Sequence, residues 1–569
     1  MTTTQESVAP ICPSPAVPPA SSPRRGVAVH ALVYLLLLVG LFAFTDLHAS
    51  WTLDDGAYAT QVKVLNETGG WAYPYRWADR DPTSRFAPVS HSVETTDATY
   101  PYVKRPVWIL LLQTSTKVFG TPLGLFVPSL LGAWAAALVA WSLAERLEAG
   151  RGPLGFWAVA LGPVVVHSSA MWAHTWAAAL GGVLAVVVVD AHRGVLGRRH
   201  VAVAVAASVA LVSIRTDGLL AVLAVALALV LASRRPGAGR RSDARVISRS
   251  VLLVAAAAVT YLGTASWGHH LAPGRWRAPR DVIYTNVGLL SGRWSGFVAS
   301  FLSGGLGSTS GIALAWLAIG CSVVAGILLT RRAPPWLVGG FVTVSLLVLA
   351  LRQYAVARFD LGGALLALPL VTVGLGCLIA NRVHRPRTLS AGAMLGVFVG
   401  MHVVLVVATQ YPEGGSIDWG GRFLFPVLVP ATVLAALAVL HRSVALTGTS
   451  GRSATAVILV VLVALPSSIG WLSAHDLRRV MGTTTDRLDA PAGTTVIRLG
   501  RSITRGSWSL LPERDVLSAE SSTAPAALRM LRPGRSLPVL VIGGGADRVR
   551  SPGYDRTVVS SDEVLFRPS

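Results

Sequence analysis

Residues 51–77 read WTLDDGAYATQVKVLNETGGWAYPYRW. Behind the pair Asp54-Asp55, the residues Tyr58, Val62 and Leu65 recur at the spacing of one helical face. The pattern predicts an amphipathic helix lying on an interface, with two carboxylates at its start. Asp is favoured at helix N-termini, so capping is the first explanation for the pair. Working outward, an apolar run at 27–45 precedes the stretch. After it, 100–120 reads YPYVKRPVWILLLQTSTKVFG, which brings the basic pair Lys104-Arg105 up to a proline and an apolar helix. The carboxylates therefore sit in a polar loop between two hydrophobic segments.

That arrangement continues along the chain. A membrane span needs about 20 apolar residues. Candidates fall at 27–45, 122–143, 154–170, 172–190, 200–214, 217–232, 246–265, 311–330, 336–351, 362–380, 391–409, 422–441 and 453–471. Hydrophobic residues make up 52% of the 569 and charged residues 14%, against about 25% charged in a soluble domain. An ordinary cytosolic enzyme, a disordered chain and a disulfide-rich secreted domain are thereby excluded. Cys12 lies in a polar tail, and Cys321 and Cys377 lie in apolar runs, which reads as buried free thiols.

The net charge of +21 would ordinarily suggest nucleic acid. Its distribution argues otherwise. With the N-terminus inside, Arg24, Arg25, Arg146, Arg151, Arg193, Arg198 and Arg199 fall on inner connections, and so do the basic runs at 234–249, 331–332, 382–387 and 442–452. This is the positive-inside pattern, so most of the charge records topology and no nucleic-acid partner is expected. HAS at 48–50 faintly resembles a signal-peptide cleavage site, but the 18-residue apolar run before it favours an uncleaved anchor.

The expected fold is an all-α polytopic membrane protein with about thirteen transmembrane helices, N-terminus in and C-terminus out, and a small α/β extracytoplasmic domain at the C-terminus. The expected division is a disordered cytoplasmic tail at 1–26, a membrane domain at 27–471 with outer loops at 46–121 and 266–310, and the α/β domain at 472–569. In that last part TTVIRL, PAALRML, LPVLVIGGG and DEVLFRP alternate strand-like and helix-like runs. The GGG at 543–545 matches no dinucleotide fingerprint and reads as a turn.

On the outer face, several cations stand against the general bias. Lys104, Arg105, Arg215, Arg275, Arg277 and Arg280 gather there, with Arg352, Arg358 and Arg422 on later outer connections. A basic cluster beside a carboxylate pair suits an anionic group held next to a general base. Asp54 and Asp55, with His269 from the second outer loop, leave room for a divalent cation. Tyr58, Trp71 and Tyr102 suit stacking on a sugar or an aromatic belt at the interface, and both readings stay open.

LDDGAY in a long first outer loop, YPYVKRP returning to the membrane, and many spans before a C-terminal outer domain resemble the GT-C superfamily of integral membrane glycosyltransferases. The nearest likenesses are to protein mannosyltransferases, aminoarabinose transferases and the family-39 and Rgt-like enzymes. The resemblance implies inverting transfer from a polyprenyl-phosphate sugar to a glycan, lipid or protein acceptor at the outer face of the cytoplasmic membrane. It implies Asp54 as general base and Asp55 at the second motif position. It implies Lys104, Arg105, Arg215, Arg275 and Arg277 around the donor phosphate, and His269 and Arg422 lining the same site. No cofactor is required on this reading. One departure stands out: many relatives carry an Asp in the turn where this chain has HSSAMWAHTW at 167–176, with His167 and His174 and no carboxylate.

A transporter or flippase of lipid-linked glycans, or an assembly scaffold, competes with the enzyme. Transporters place ionisable groups inside their spans and show internal repeats. Here the spans are nearly free of charge and no half-length repeat is evident.

Overall fold

The computed structural model describes residues 23–45, 47, 52–71, 73–77, 79–82, 85–86, 98–99, 105–233, 240–271, 301, 309–356, 363–380, 390–409, 422–447, 452–486, 494–499, 516–531, 538–543, 545–560 and 563–568. In order, these begin with α1 (Pro23–Ala43), α2 (Leu53–Thr68), a two-residue β1–β2 pair (Tyr73–Pro74, Ala98–Thr99), α3 (Pro106–Phe119) and α4 (Leu123–Leu147). There follow α5 (Gly152–Ala160), α6 (Pro163–His167), α7 (His174–His192), α8 (Arg198–Ile214), α9 (Gly218–Ser233) and α10 (Arg240–Leu271).

All thirteen expected segments fall on helices. Nine helices among the described residues are long and apolar enough to cross a membrane. The other four segments are short or broken. Pro163 splits one into α5 and α6, and Pro369 splits another into Ala364–Ala367 and Pro369–Ala380. Proline lacks the N–H a helix interior needs, so hydropathy carries through a point where the backbone does not. α8 and α9 are continuous but only 17 and 16 residues long.

α1 shows how these helices partition. Tyr34, Leu38 and Phe42 form a buried stripe, while Leu32, Leu36 and Val39 are exposed on the face a bilayer would cover. At the centre, α4 presents Ala133, Ala136, Ala137, Ala140 and Ala144, all buried. Small side chains let backbones approach and gain packing that lipid does not supply. α7 meets the helix Phe425–Thr447 most closely at Gly181, where a Cβ would run into the Pro426 carbonyl.

The C-terminal runs form a five-stranded sheet of order β4-β3-β5-β7-β6, with β3 (Thr495–Leu499), β4 (Val516–Ala519), β5 (Val539–Ile542), β6 (Tyr554–Ser560) and β7 (Glu563–Pro568). β3 pairs in parallel with β4 and β5, whereas β7 is antiparallel to β5 and β6. Alternation assigns two buried faces. Ile497, Leu517, Val541 and Val564 pack with the helix Ala524–Leu531. Val496, Val516, Leu540 and Ile542 cluster with Val64 of α2. The first loop also joins the sheet: Tyr75 and Phe86 enter its core, and Ser518 N donates to Phe86 O at 2.9 Å. α2 is thus held between the helical body and the sheet.

Candidate active site

α2 forms as its periodicity predicts. Tyr58, Val62 and Leu65 are buried in the main core, and Gly69 ends the helix in a left-handed conformation. The capping expectation changes in detail. Thr52, not an Asp, is the N-cap, and its hydroxyl accepts from Asp55 N at 3.0 Å. Asp55 is the third residue of the helix. Its side chain is fully buried, and its Oδ1 accepts from Met171 N at 2.8 Å. Asp54 lies in the first turn of α2, and its side chain is outside the described residues.

Met171 belongs to the turn at 167–176, which holds no carboxylate of its own. Its N–H donates to the Asp55 carboxylate and its carbonyl accepts from Trp108 Nε1 at 2.8 Å. Asp55 thus reaches across from α2 to the turn. The turn is fixed beneath by α4: Ser129 Oγ donates to Trp172 O at 2.8 Å, Thr175 Oγ1 to Ser129 O at 2.8 Å, and Trp176 Nε1 to Pro128 O at 2.7 Å. His167 and His174 are buried, with ring centroids 5.0 Å apart and Phe425 4.5 Å and 5.0 Å from them. This aromatic packing agrees with a structural role for both histidines.

Trp108 is in the first turn of α3, which Arg105 heads. Arg105 is 3% exposed. Its Nη1 donates to Thr264 Oγ1 at 2.5 Å, and its guanidinium carbon lies 4.8 Å from the Tyr261 ring centroid. Among the described residues its Nε–H meets no acceptor. Burial pushes the Arg105 pKa down from its ordinary value, while Tyr261 and Asp217 push it back up. Arginine stays protonated throughout the accessible range, so the result is a fixed, poorly hydrated cation.

Asp217 is paired elsewhere. It accepts Arg215 Nε at 2.7 Å and Arg215 Nη2 at 3.1 Å, a bidentate bridge with both side chains largely buried. Arg215, expected among the donor-phosphate residues, makes this ion pair at the corner between α8 and α9. Beside it, His402 Nε2 donates to Phe423 O at 2.9 Å, in the turn Arg422–Leu424. Arg422 is in that turn, with its side chain outside the described residues.

The remaining expected residues divide clearly. His269 is exposed in the last turn of α10, where neighbouring Gly268 faces Pro106. Trp71 is half-buried against the core, and its carbonyl accepts from Gln61 Nε2 at 2.9 Å. Tyr58, a candidate for sugar stacking, is a core residue. Tyr102, Lys104, Arg275, Arg277, Arg280 and Arg358 lie outside the described residues. Arg352 is fully buried and donates from Nε to Gly311 O at 3.2 Å. Among the described residues no three His, Cys, Asp or Glu side chains converge as a metal group.

Sequence reasoning missed Trp108, the Met171 peptide and Arg478. Arg478 is 1% exposed, and its Nη2 donates to Ser169 O in the same turn. In sequence it is one more Arg after an apolar run, with no local pattern to mark it.

No family model matches the chain, and no curated protein matches it in sequence. Solved structures do. ArnT from Cupriavidus metallidurans in the apo state aligns with a TM-score of 0.52 at 12% identity, over 96% of this chain and 98% of that one. The same protein bound to undecaprenyl phosphate aligns at 0.49, with 12% identity over 95% and 98%. The oligosaccharyltransferase AglB from Archaeoglobus fulgidus, in complex with an inhibitory peptide and a dolichol-phosphate, aligns at 0.47 with 13% identity, over 91% of this chain and 69% of that one. With its helical body, first-loop helix and C-terminal sheet, this chain shares its fold with ArnT.

Proposed function

We propose that this chain is a glycosyltransferase that moves a sugar from a polyprenyl-phosphate donor to a glycan, lipid or protein acceptor of the cell envelope. The reaction takes place at the outer face of the cytoplasmic membrane and inverts the anomeric carbon. One observation carries the reading: a buried carboxylate and the helix turn headed by a buried cation meet at one residue, Met171. Asp55 takes the Met171 N–H, and Trp108, in the turn that Arg105 heads, takes the Met171 carbonyl. The fold shared with ArnT agrees with it.

The chemistry follows from the charges. Asp54, beside the fixed Asp55, removes the proton from the acceptor hydroxyl. The acceptor oxygen bonds to the anomeric carbon from the face opposite the leaving group. The bond from that carbon to the phosphate oxygen breaks, and the lipid leaves as a phosphate monoester. Arg105, already stripped of water, offers its Nε–H to that developing charge at little cost in reorganisation. Lys104, Arg275 and Arg277 add positive charge from the adjoining loops, with His269 and Arg422 at the edge. Arg215 acts by holding Asp217, whose charge favours the charged form of Arg105.

The test replaces Asp54 by Asn in cells whose envelope glycans are profiled. Loss of one glycan class, with the protein present at its normal level, is the expected result. Unchanged glycans refute the reading, and flipping of labelled lipid in vesicles without glycosyl transfer would replace it with a transporter.

A further inference from the structure

Arg478 lies near the end of the helix Arg452–Asp486, where a span gives way to the C-terminal domain. It is almost wholly buried, and its guanidinium carbon is 5.7 Å from the Phe126 ring centroid of α4. Its Nη2 donates to the Ser169 carbonyl. Ser169 and Met171 share one tight turn, in which Ser168 N bonds to Val164 O at 2.9 Å and Ala170 N to His167 O at 3.1 Å. A shift of the Ser169 peptide therefore moves the Met171 peptide two residues on. Met171 N–H is the group that holds Asp55.

We infer that Arg478 is a positioning residue for the proposed transfer. By fixing the Ser169 carbonyl it fixes the Met171 peptide, and so sets where Asp55 and the first turn of α2, with Asp54 on it, stand. Asp55 holds the turn from α2, and Arg478 holds it from the last helix. α2 attaches to the C-terminal domain through Val64 in the sheet cluster, and the last helix directly precedes β3 in the order of described elements. The C-terminal domain thereby belongs to the catalytic framework. A guanidinium suits the task because its planar fork bonds a carbonyl while its face rests on a ring; a lysine ammonium cannot do both.

The role rests on the transferase reading, and hydrogen exchange tests it without turnover. The full chain is measured in detergent as wild type, Arg478→Met and Arg478→Lys. Arg478→Met is expected to raise exchange of amides 168–174 at least about tenfold, since a hydrogen bond from a charged donor contributes more than that to local closure. Exchange in β3 and α4 stays at the wild-type level. If Met raises exchange everywhere, Arg478→Lys decides, with a smaller rise confined to 168–174. In membranes supplied with donor lipid extracted from the source cells, Arg478→Lys is expected to lower kcat about tenfold with KM for the donor unchanged. Wild-type exchange at 168–174 in the folded variant, or an unchanged kcat, overturns the inference. The wild type and Asp54→Asn separate the claims: no transfer by the wild type sinks the transferase reading, wild-type transfer by Asp54→Asn sinks only Asp54 as its base, and an inert Asp54→Asn beside a fully active Arg478→Lys sinks only the role of Arg478.

Discussion

Replacing Arg105 by Met probes the buried cation most sharply. Met keeps much of the length and removes the charge. The variant loses the bond to Thr264 Oγ1 and the stacking on Tyr261. It leaves no new isolated charge, because Asp217 keeps its bidentate bridge to Arg215. The stability loss should therefore be about 2 kcal/mol, within the range of one charged hydrogen bond and one cation–π contact. Donor binding should suffer more specifically. A charge-assisted hydrogen bond to phosphate is worth about 1.5–3 kcal/mol, which corresponds to about 10- to 150-fold in Kd. The assay is titration of the detergent-solubilised full chain with undecaprenyl phosphate, followed by thermal stabilisation. Arg105→Lys, which keeps the charge without the fork, should fall between wild type and Met. Undecaprenyl phosphate bound by Arg105→Met as tightly as by wild type would refute the assignment of Arg105 to the donor phosphate.

Three further outcomes follow from the packing. Trp108→Phe leaves the Met171 carbonyl without its 2.8 Å donor in a fully buried place, so apparent stability should fall by about 2–4 kcal/mol, read as a lower Tm in detergent. Gly181→Ala drives a methyl group into the Pro426 carbonyl and should cost at least about 1–3 kcal/mol, seen as loss of the monodisperse peak in size-exclusion chromatography. Glu148 is held below the usual carboxylate range, chiefly by its hydrogen bond to Arg151 and then by His441. Its stabilisation is accordingly complete above the ordinary glutamate pKa of about 4.3 and is lost as pH falls. The Tm difference between wild type and Glu148→Gln should be small at neutral pH and vanish in acid; a gap that widens in acid would contradict this sign.

The features legible in the sequence were those with a local period. Tyr58, Val62 and Leu65 announce α2, and PAALRML and LPVLVIGGG announce a helix and a strand of the C-terminal domain, because one side-chain spacing defines each. Each of the thirteen hydropathy segments also fell on helix, although hydropathy could not see that Pro163 and Pro369 interrupt two of them. Contacts between distant peptides left no such trace. On paper the Asp pair caps α2, and only the geometry shows that Thr52 serves and that Asp55 accepts from Met171 N. The missing acid in 167–176 looked like a defect of the site. The carboxylate that meets this turn comes from α2, through a backbone N–H that any residue but proline at 171 would supply. Val64 stands off the predicted stripe and reads as incidental until the sheet is found packed on it.

The central claim is that the outer end of this bundle transfers sugar. Its most direct measurement uses the purified full chain in proteoliposomes, supplied with radiolabelled polyprenyl-phosphate sugar and an acceptor fraction from the same envelope. The account predicts label in the acceptor with the anomeric configuration inverted, free polyprenyl phosphate released in equal amount, and neither with Asp54→Asn. Labelled lipid that crosses the bilayer with its sugar still attached, at the same rate in wild type and Asp54→Asn, would contradict it.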